Sequence, residues 1–245
     1  NNSTFYKYQV INRSSTQMDN TYFGQWVDPD LGNAVDDYVG CDVGRGFGYC
    51  YNGDADDDGA AGYGIDPPAI GVDFLQGPYA DLNDAIDNDL DGCIDCTFID
   101  SSGTTLAFDD DVLPEGISMS KFVYYNNINN SPVGNPNGFA DFYNYLRGIW
   151  IDNQPITYGD DGRNPANPVC NFMFPGTTDP SFPINWTEIT AGNIPGDKRF
   201  IQSAGPFTLA AGEVNYITTG VVWARQPGGG QLGSIALLQQ YDDEV

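Results

Sequence analysis

Two short loops rich in aspartate and glycine contain the residues of this chain that are best able to do chemistry. The later loop has the sequence IDNDLDGCID at residues 86–95, and its acidic positions follow the spacing D-x-D-x-D-G-x-x-D. In a tight turn alternate side chains point to one centre, and the glycine lets the backbone turn sharply enough to add a carbonyl oxygen. Oxygen ligands in this number suit Ca²⁺ better than Mg²⁺, which retains its waters. The loop therefore predicts calcium ligands at Asp87, Asp89, Asp91 and Asp95.

The earlier loop, DADDDG at residues 54–59, repeats the first half of this pattern and predicts ligands at Asp54, Asp56 and Asp58. Neither loop has the twelfth-position glutamate of an EF-hand, because Ile65 and Phe98 stand there, so both loops need further ligands from elsewhere. Two carboxylates about 6 Å apart repel each other by roughly 3 kcal/mol at an effective dielectric constant of about 20. Converging carboxylates thus favour a bound cation, and the alternative is a solvated loop whose side chains splay apart.

A third group of aspartates precedes these loops and predicts another site. Its candidate ligands are Asp28, Asp30, Asp37 and Asp42, with Asp36 beside them. Farther along, the three aspartates at 109–111 either donate ligands to another site or form a turn at a strand end. The sequence DDG at 160–162 is typical of a turn. Together these groups predict two or more Ca²⁺ ions.

The acidity of the chain is concentrated and consists almost entirely of aspartate. The 245 residues include 34 acidic and nine basic side chains, the formal net charge is -25, and 21 of the 30 aspartates lie between residues 28 and 111. Phosphate contacts need Lys and Arg, so this charge argues against nucleic acid and anionic membranes as partners. The absence of histidine excludes Ser-His-Asp triads and His-ligated metal centres. No catalytic motif remains and no apolar run is long enough for a membrane helix, so we expect neither an enzyme nor membrane insertion.

The element pattern predicts an all-β fold of sandwich-like antiparallel sheets with long Asp/Gly-rich calcium-bound loops and one or two short helices. Strands are expected at 4–13, 20–27, 121–128, 200–209 and 213–225, and helices at 139–147 and 234–245. The segment 28–111 is predicted to be mostly loop, with one short apolar stretch at 69–75. We therefore expect residues 1–245 to form a single β-rich domain, or a fragment of a longer chain, with a metal-loop insertion at about 28–111.

The five cysteines bear on the cellular compartment. Cys41 and Cys50 flank a glycine-rich loop, and Cys93 and Cys96 form a CxxC, so we expect two local disulfides with Cys170 left unpaired. The alternative is a zinc site, which lacks a second CxxC. Disulfides indicate an oxidising compartment. The prediction is an extracellular or cell-surface protein whose export signal has been removed.

Several blocks of the sequence resemble large uncharacterised secreted and cell-surface proteins of Bacteroidota of the type IX secretion cargo type. These blocks are TFYKYQVINRSS, FGQWVDPDLGNAVDDYVGCDVGRGFGYCYNGD, IGVDFLQGP, DFYNYLRGIW and FIQSAGPFTLAAGEVNYITTGVVWAR. Separately, the loop at 86–95 looks like the MopE-type metal-binding motif, with Leu90 where that motif often has Cys. The first resemblance implies export and display or release outside the cell, and the second adds support for metal in the loop.

The function expected from these features is a non-catalytic, calcium-stabilised extracellular module of a larger protein, with an adhesive, filament or scaffold role. Its partners would be other domains of the same chain or other cell-surface proteins. An alternative is calcium-dependent glycan binding, with stacking faces at Tyr22, Trp26, Trp150, Trp186 and Trp223, although such aromatic residues more often fill a core. A glycoside hydrolase that uses paired carboxylates is a third and less favoured candidate.

Overall fold

Two antiparallel sheets form the framework of the protein in a computed structural model that describes residues 2–82, 84–90, 94 and 115–245. In chain order the strands are β1 (Ser3–Ile11), β2 (Met18–Val27), β3 (Asp37–Asp42), β4 (Phe47–Asn52), β5 (Asp56–Asp57), β6 (Gly64–Ile65), β7 (Ala69–Gln76), β8 (Lys121–Asn126), β9 (Lys198–Leu209) and β10 (Val214–Ala224). The helices are α1 (Phe139–Leu146), α2 (Glu188–Ala191) and α3 (Gly230–Asp243), and residues Ala34–Asp36 form a 3₁₀ turn.

The larger sheet has five strands in the order β1-β10-β7-β4-β3, and the smaller has three in the order β2-β9-β8. Every strand pair in both sheets is antiparallel, and β5 and β6 form a separate two-stranded hairpin. This architecture confirms the predicted all-β, sandwich-like class. The strands expected at both ends of the chain are present as β1, β2, β8, β9 and β10.

The main hydrophobic core lies between the inner faces of the two sheets. Phe122 of β8 and Phe200 of β9 have ring centroids 5.0 Å apart. Phe23 of β2 meets Phe74 of β7 across the sandwich, with centroids 6.0 Å apart. The Gln202 side chain of β9 donates a hydrogen bond of 3.1 Å to a main-chain carbonyl of β7, so one polar contact also joins the sheets. Buried aromatic side chains dominate the energetics of such cores because each removes a large apolar area from water.

Helices cover the outer faces of both sheets. Leu238 of α3 is fully buried in a second apolar cluster with Tyr51 and Val222 of the larger sheet. On the opposite side of the molecule, Ser203 of β9 donates a hydrogen bond of 2.7 Å to the Leu146 carbonyl at the end of α1. The helices α1 and α3 lie where the sequence predicts them. The described residues contain three helices rather than one or two, because the four-residue α2 is also present.

The prediction of a single apolar stretch within residues 28–111 is incomplete, because the strands β3 and β4 also lie there. Strands β3, β4 and β7 lie in this segment and form three adjacent strands of the larger sheet. All residues of β3 and β4 are buried, because the smaller sheet covers one face and α3 the other, so polar and apolar residues do not alternate. Glycines inside the strands make room for rings: a Cβ on Gly71 would lie 2.0 Å from the Phe47 ring.

The predicted disulfide between Cys41 and Cys50 is also wrong. Both cysteines are free and buried, as is Cys170. In the β3–β4 ladder Cys41 faces Gly48 while Cys50 faces Val39, so the two cysteines are diagonal neighbours. Diagonal Cβ atoms lie about 7–8 Å apart, whereas a disulfide needs about 3.5–4.5 Å. The predicted Cys93–Cys96 pair lies outside the described residues.

Candidate cation-binding site

Three carboxylates converge where β2 ends and β9 begins. Asp28 directly follows β2, Asp30 lies two residues farther on, and Asp197 directly precedes β9. The antiparallel pairing of Val27 with Phe200 brings these two strand ends together. As a result, one carboxylate oxygen from each aspartate lies within 4.8 Å of the others. In the described part of the chain this is the one group of three or more His, Cys, Asp or Glu side chains that come so close.

A single arginine faces this group, which we call the Asp28 cluster (Asp28, Asp30 and Asp197). Arg199 Nε lies 2.8 Å from Asp28 Oδ1, and Arg199 Nη2 lies 3.8 Å from Asp197 Oδ1. Partial burial raises the pKa of Asp30, the neighbouring carboxylates of Asp28 and Asp197 raise it further, and the Arg199 charge partly offsets them. One positive charge therefore faces three carboxylates, which leaves the cluster with a net negative charge.

Two open cavities flank the Asp28 cluster. One has a volume of about 380 Å³ and is lined by residues that include Trp26, Asp28 and Pro29. The other has a volume of about 420 Å³, and its lining includes Asn127 and Asp197. The Trp26 side chain is 54% exposed, and its indole NH donates a hydrogen bond to the Tyr125 hydroxyl. Polar groups and one aromatic face thus border the carboxylates.

The other two ligands predicted for this third site make different contacts. Asp37 is buried, its Oδ2 accepts a hydrogen bond of 3.1 Å from the Leu31 amide, and burial raises its pKa to about 8. Asp42 is buried beside Arg45, whose Nη1 lies 2.5 Å from its Oδ2. The structure therefore groups Asp28 and Asp30 with Asp197, a distant residue, instead of with Asp37 and Asp42.

The loop at 54–59 has its aspartates arranged differently from the predicted convergence. Asp54, Asp56 and Asp58 are exposed, and no group of three close ligands among the described residues includes them. Asp57 is the buried member, and its carboxylate accepts hydrogen bonds of 3.0 Å from the Asn33 amide and 2.9 Å from the Tyr63 amide. Pairing of β5 with β6 turns Asp57 inward and leaves Asp56 outside.

The loop at 86–95 is described only in part. Asp87 and Asp89 are half-buried, and the Asn88 amide between them donates a hydrogen bond of 2.9 Å to Glu115. The predicted ligands Asp91 and Asp95 lie outside the described residues, as do the aspartates at 109–111. At 160–162 the expected turn is present, since the Gly162 amide donates to the Gly159 carbonyl at 3.0 Å.

The aromatic residues considered for glycan stacking divide into two groups. Trp150 and Trp186 are buried, and their indole nitrogens donate to main-chain carbonyls at 3.0 and 3.1 Å, so these two fill the core as the alternative predicted. Trp26 and Trp223 are exposed, and Tyr22 is half-buried edge-to-face against another tyrosine. Of the five, Trp26 is the one that lies next to the Asp28 cluster in sequence.

The sequence did not predict Asp197, which completes the Asp28 cluster, or Arg199, which faces it. They lie far along the chain from Asp28, and no repeat of the D-x-D pattern surrounds them. The pairing of β2 with β9 would have been the signal, because antiparallel partners bring the end of one strand to the start of the other.

Comparisons with known proteins give no relative for this chain. No family model matches it, and neither a curated protein nor a solved structure matches it. Among the described helices, none has the length and apolar character needed to cross a membrane.

Proposed function

We propose that this chain is a non-catalytic, calcium-stabilised extracellular module of a larger secreted or cell-surface protein. The observation that carries the proposal is the Asp28 cluster, where three carboxylates from two strand ends meet. Its partners would be other domains of the same chain or other cell-surface proteins, in an adhesive, filament or scaffold role. The proposal also follows from the secreted Bacteroidota proteins that the sequence resembles.

The size and charge of the Asp28 cluster suit Ca²⁺. Calcium binds oxygen ligands at about 2.3–2.6 Å, so two ligands on opposite sides of one ion are about 4.6–5.2 Å apart. The oxygens of Asp28, Asp30 and Asp197 lie within 4.8 Å of one another. Only the single charge of Arg199 opposes the three carboxylates, so a divalent cation would relieve the remaining repulsion. Millimolar extracellular calcium makes even a weak site effective.

A second ion belongs to this proposal. We place it at the 86–95 loop, with Asp87, Asp89, Asp91 and Asp95 as ligands, because that loop has the fullest D-x-D-x-D-G spacing. The two ions together would neutralise part of the -25 charge, and they would fix a loop that follows β2 of the smaller sheet and a loop that follows β7 of the larger sheet.

Thermal unfolding of the intact chain tests the calcium proposal. In EDTA we expect a lower melting temperature than in Ca²⁺, and restoring Mg²⁺ or an equal ionic strength of NaCl should not reverse the loss. A ligand at 100 times its Kd stabilises by about 2.7 kcal/mol, which corresponds to roughly 5–10 °C for a chain of this size. Elemental analysis of the protein as purified measures bound calcium directly.

Two double variants assign the calcium effect to a site. Asp28→Asn with Asp197→Asn should lose the part of the calcium-dependent shift that the Asp28 cluster supplies, while Asp54→Asn with Asp56→Asn, at exposed positions, should keep the whole shift. A shift lost only in the second variant would place the ion in the 54–59 loop. A melting temperature indifferent to Ca²⁺, with no calcium found by elemental analysis, would contradict the proposal.

Calcium-dependent glycan binding is a second candidate, favoured by the exposed Trp26 beside the Asp28 cluster and by the amide-lined cavity next to Asp197. An indole face stacks on the apolar face of a sugar while carboxylates and amides bind its hydroxyls. Calorimetric titration with oligosaccharides distinguishes this candidate from a purely structural role. Heat of binding that requires both Ca²⁺ and Trp26, but not the exposed Trp223, would support it.

A glycoside hydrolase is less favoured. Such an enzyme needs an acid with a raised pKa in a cleft that its substrate reaches. The carboxyls of Asp37 and Asp73 both have a pKa raised to about 8, mainly by burial, but they are only 1% and 5% exposed. Neither of them lines the cavities beside the Asp28 cluster.

A further inference from the structure

The two edges of the five-stranded sheet differ in how they are covered. At one edge the chain segment around residues 174–196 bonds to β3: the Cys41 amide donates to the Phe174 carbonyl, and the Gly196 amide donates to the Asp37 carbonyl. The Val39 amide is bound by a side chain, Glu188, at 2.8 Å. These bonds occupy the outer side of β3 and leave no room there for another strand.

At the other edge, β1 has no second neighbouring strand among the described residues. Its nine residues pair continuously with β10 on one side, and no described residue hydrogen-bonds to their main chain on the other side. Tyr8 packs against Phe23 of the smaller sheet and Val10 is half-buried, but seven of the nine β1 residues are exposed. Unpaired main-chain groups in a row are a template for a further strand.

Common features that protect a strand edge are scarce along β1. The strand contains no proline, its register with β10 has no bulge, and Lys7 is its one charged residue. Four of its seven exposed side chains are large and apolar or aromatic: Phe5 is 54% exposed, and Tyr6, Tyr8 and Ile11 are also exposed. An edge of this length and composition is typical of a strand that pairs with a partner.

The charge distribution indicates what that partner is. No acidic residue occurs from residue 2 to residue 18 or from 214 to 241, so β1 and its neighbour β10 carry no negative side chain in a chain with a net charge of -25. Two copies of this chain repel each other less when they approach through these strands than through the Asp-rich loops. We propose that β1 pairs antiparallel with β1 of a second copy across a two-fold axis, which joins two five-stranded sheets into one.

The sequence of β1 selects the register of this pairing. The longest alignment would place Lys7 opposite Lys7 of the second copy, which is unfavourable because like charges would face each other. An axis at Tyr8 pairs residues 5–11 with residues 11–5 of the second copy. Phe5 then faces Ile11, Tyr6 faces Val10, and Lys7 faces Gln9. An axis at Tyr6 pairs a segment of equal length but sets Lys7 against Phe5, so the Tyr8 axis gives the better cross-strand pairs.

Molar mass in solution tests the dimer. Light scattering after size exclusion should give twice the 26.6 kDa of one chain at micromolar concentrations, in Ca²⁺ and in EDTA alike. Tyr8→Asp, which sets two like charges face to face at the axis, should give the mass of one chain. Phe139→Asp is the matched control, since Phe139 is 92% exposed and lies on α1, and it should stay dimeric.

Cysteine cross-linking tests the register and does not depend on the Tyr8→Asp variant folding. Residues facing each other across an antiparallel pair have Cα atoms about 4.5–5.5 Å apart, within disulfide range, whereas diagonal neighbours are too far apart. Under mild oxidation Tyr8→Cys should therefore cross-link to a dimer, and Lys7→Cys should not. A wild-type chain that stays monomeric at millimolar concentration overturns the proposal. So does a dimer that survives in a folded Tyr8→Asp variant. Both outcomes are independent of whether calcium stabilises the module.

Discussion

At the scale of single residues, the aspartates of this chain have several roles that composition alone does not separate. Asp57 is a buried acceptor for two loop amides. Asp66 accepts bonds from the Gly228 and Gly230 amides, which hold its pKa below the usual value. Only Asp28, Asp30 and Asp197 meet as a group of three in the described part of the chain. A high aspartate content therefore reflects loop construction as well as candidate ligands.

The three described cysteines give a prediction about reactivity. Burial raises the pKa of the Cys41, Cys50 and Cys170 thiols, so little reactive thiolate forms in the folded protein. In the native protein we expect no alkylation at these three positions over a time that suffices to label glutathione. After unfolding in guanidinium without reductant, mass spectrometry should find all three alkylated. A Cys41–Cys50 peptide pair that survives unfolding would contradict the free thiols.

At the scale of elements, the short helix α2 is held by a buried ion pair rather than by its length. Glu188 is fully buried, and Lys198 Nζ at the start of β9 lies 2.9 Å from its Oε2. The same carboxylate accepts a hydrogen bond from the Val39 amide of β3. A four-residue helix is too short to be stable alone. This contact ties α2 to strands of both sheets.

Removing one partner of this buried ion pair should lower the free energy of unfolding substantially. Lys198→Met leaves the Glu188 charge buried without its counterion, so we expect a loss of about 3–5 kcal/mol in the free energy of unfolding. Asp152→Asn, which breaks a more exposed pair with Arg163, should cost less than about 1 kcal/mol. Urea denaturation of the three proteins gives these differences. Equal losses in the two variants would contradict the role given to the buried pair.

At the scale of the whole molecule, stability depends on how the layers meet. The end of α3 meets the larger sheet through a group of charges made up of Asp42, Arg45, Asp73, Asp242 and Asp243. Burial is the main cause that raises the pKa of Asp73 to about 8 and that of Asp242 to about 6. Arg45 lies between Asp42 and Asp243, and its charge lowers the pKa values of Asp73 and Asp242.

These shifts give the docking of α3 a pH dependence with a definite sign. Between about pH 4, where an unfolded aspartate loses its proton, and about pH 8, the folded protein holds the Asp73 proton more tightly than the unfolded chain does. Stability from this group therefore falls as the pH rises through that window, by at most about 1.4 kcal/mol per unit. In Asp73→Asn the loss of stability with rising pH should be smaller. Denaturation curves at pH 5 and pH 8 should therefore differ less than in the wild type. An unchanged difference would contradict the buried, protonated Asp73.

The amino-acid sequence by itself determined the fold class and the strands β1, β2, β8, β9 and β10. In β1 and at the ends of the molecule, β-branched and aromatic residues bounded by turn formers mark strands directly, and the stretches at 139–147 and 234–245 mark α1 and α3. The strands in residues 37–52 were not predicted because layers cover both faces of β3 and β4. Strand prediction depends on the alternation of polar and apolar residues, and strands buried on both faces do not show it.

Only the tertiary structure decided which acidic residues meet. The D-x-D spacing is local, so it could suggest Asp28 and Asp30 but not Asp197, which reaches them through the pairing of β2 with β9. In the same way, spacing suggested a Cys41–Cys50 bridge that the register of β3 and β4 does not permit. The spacing of neighbouring residues can be seen in the sequence. Which side chains meet in space depends instead on strand order and register, and contacts between distant parts of the chain determine both.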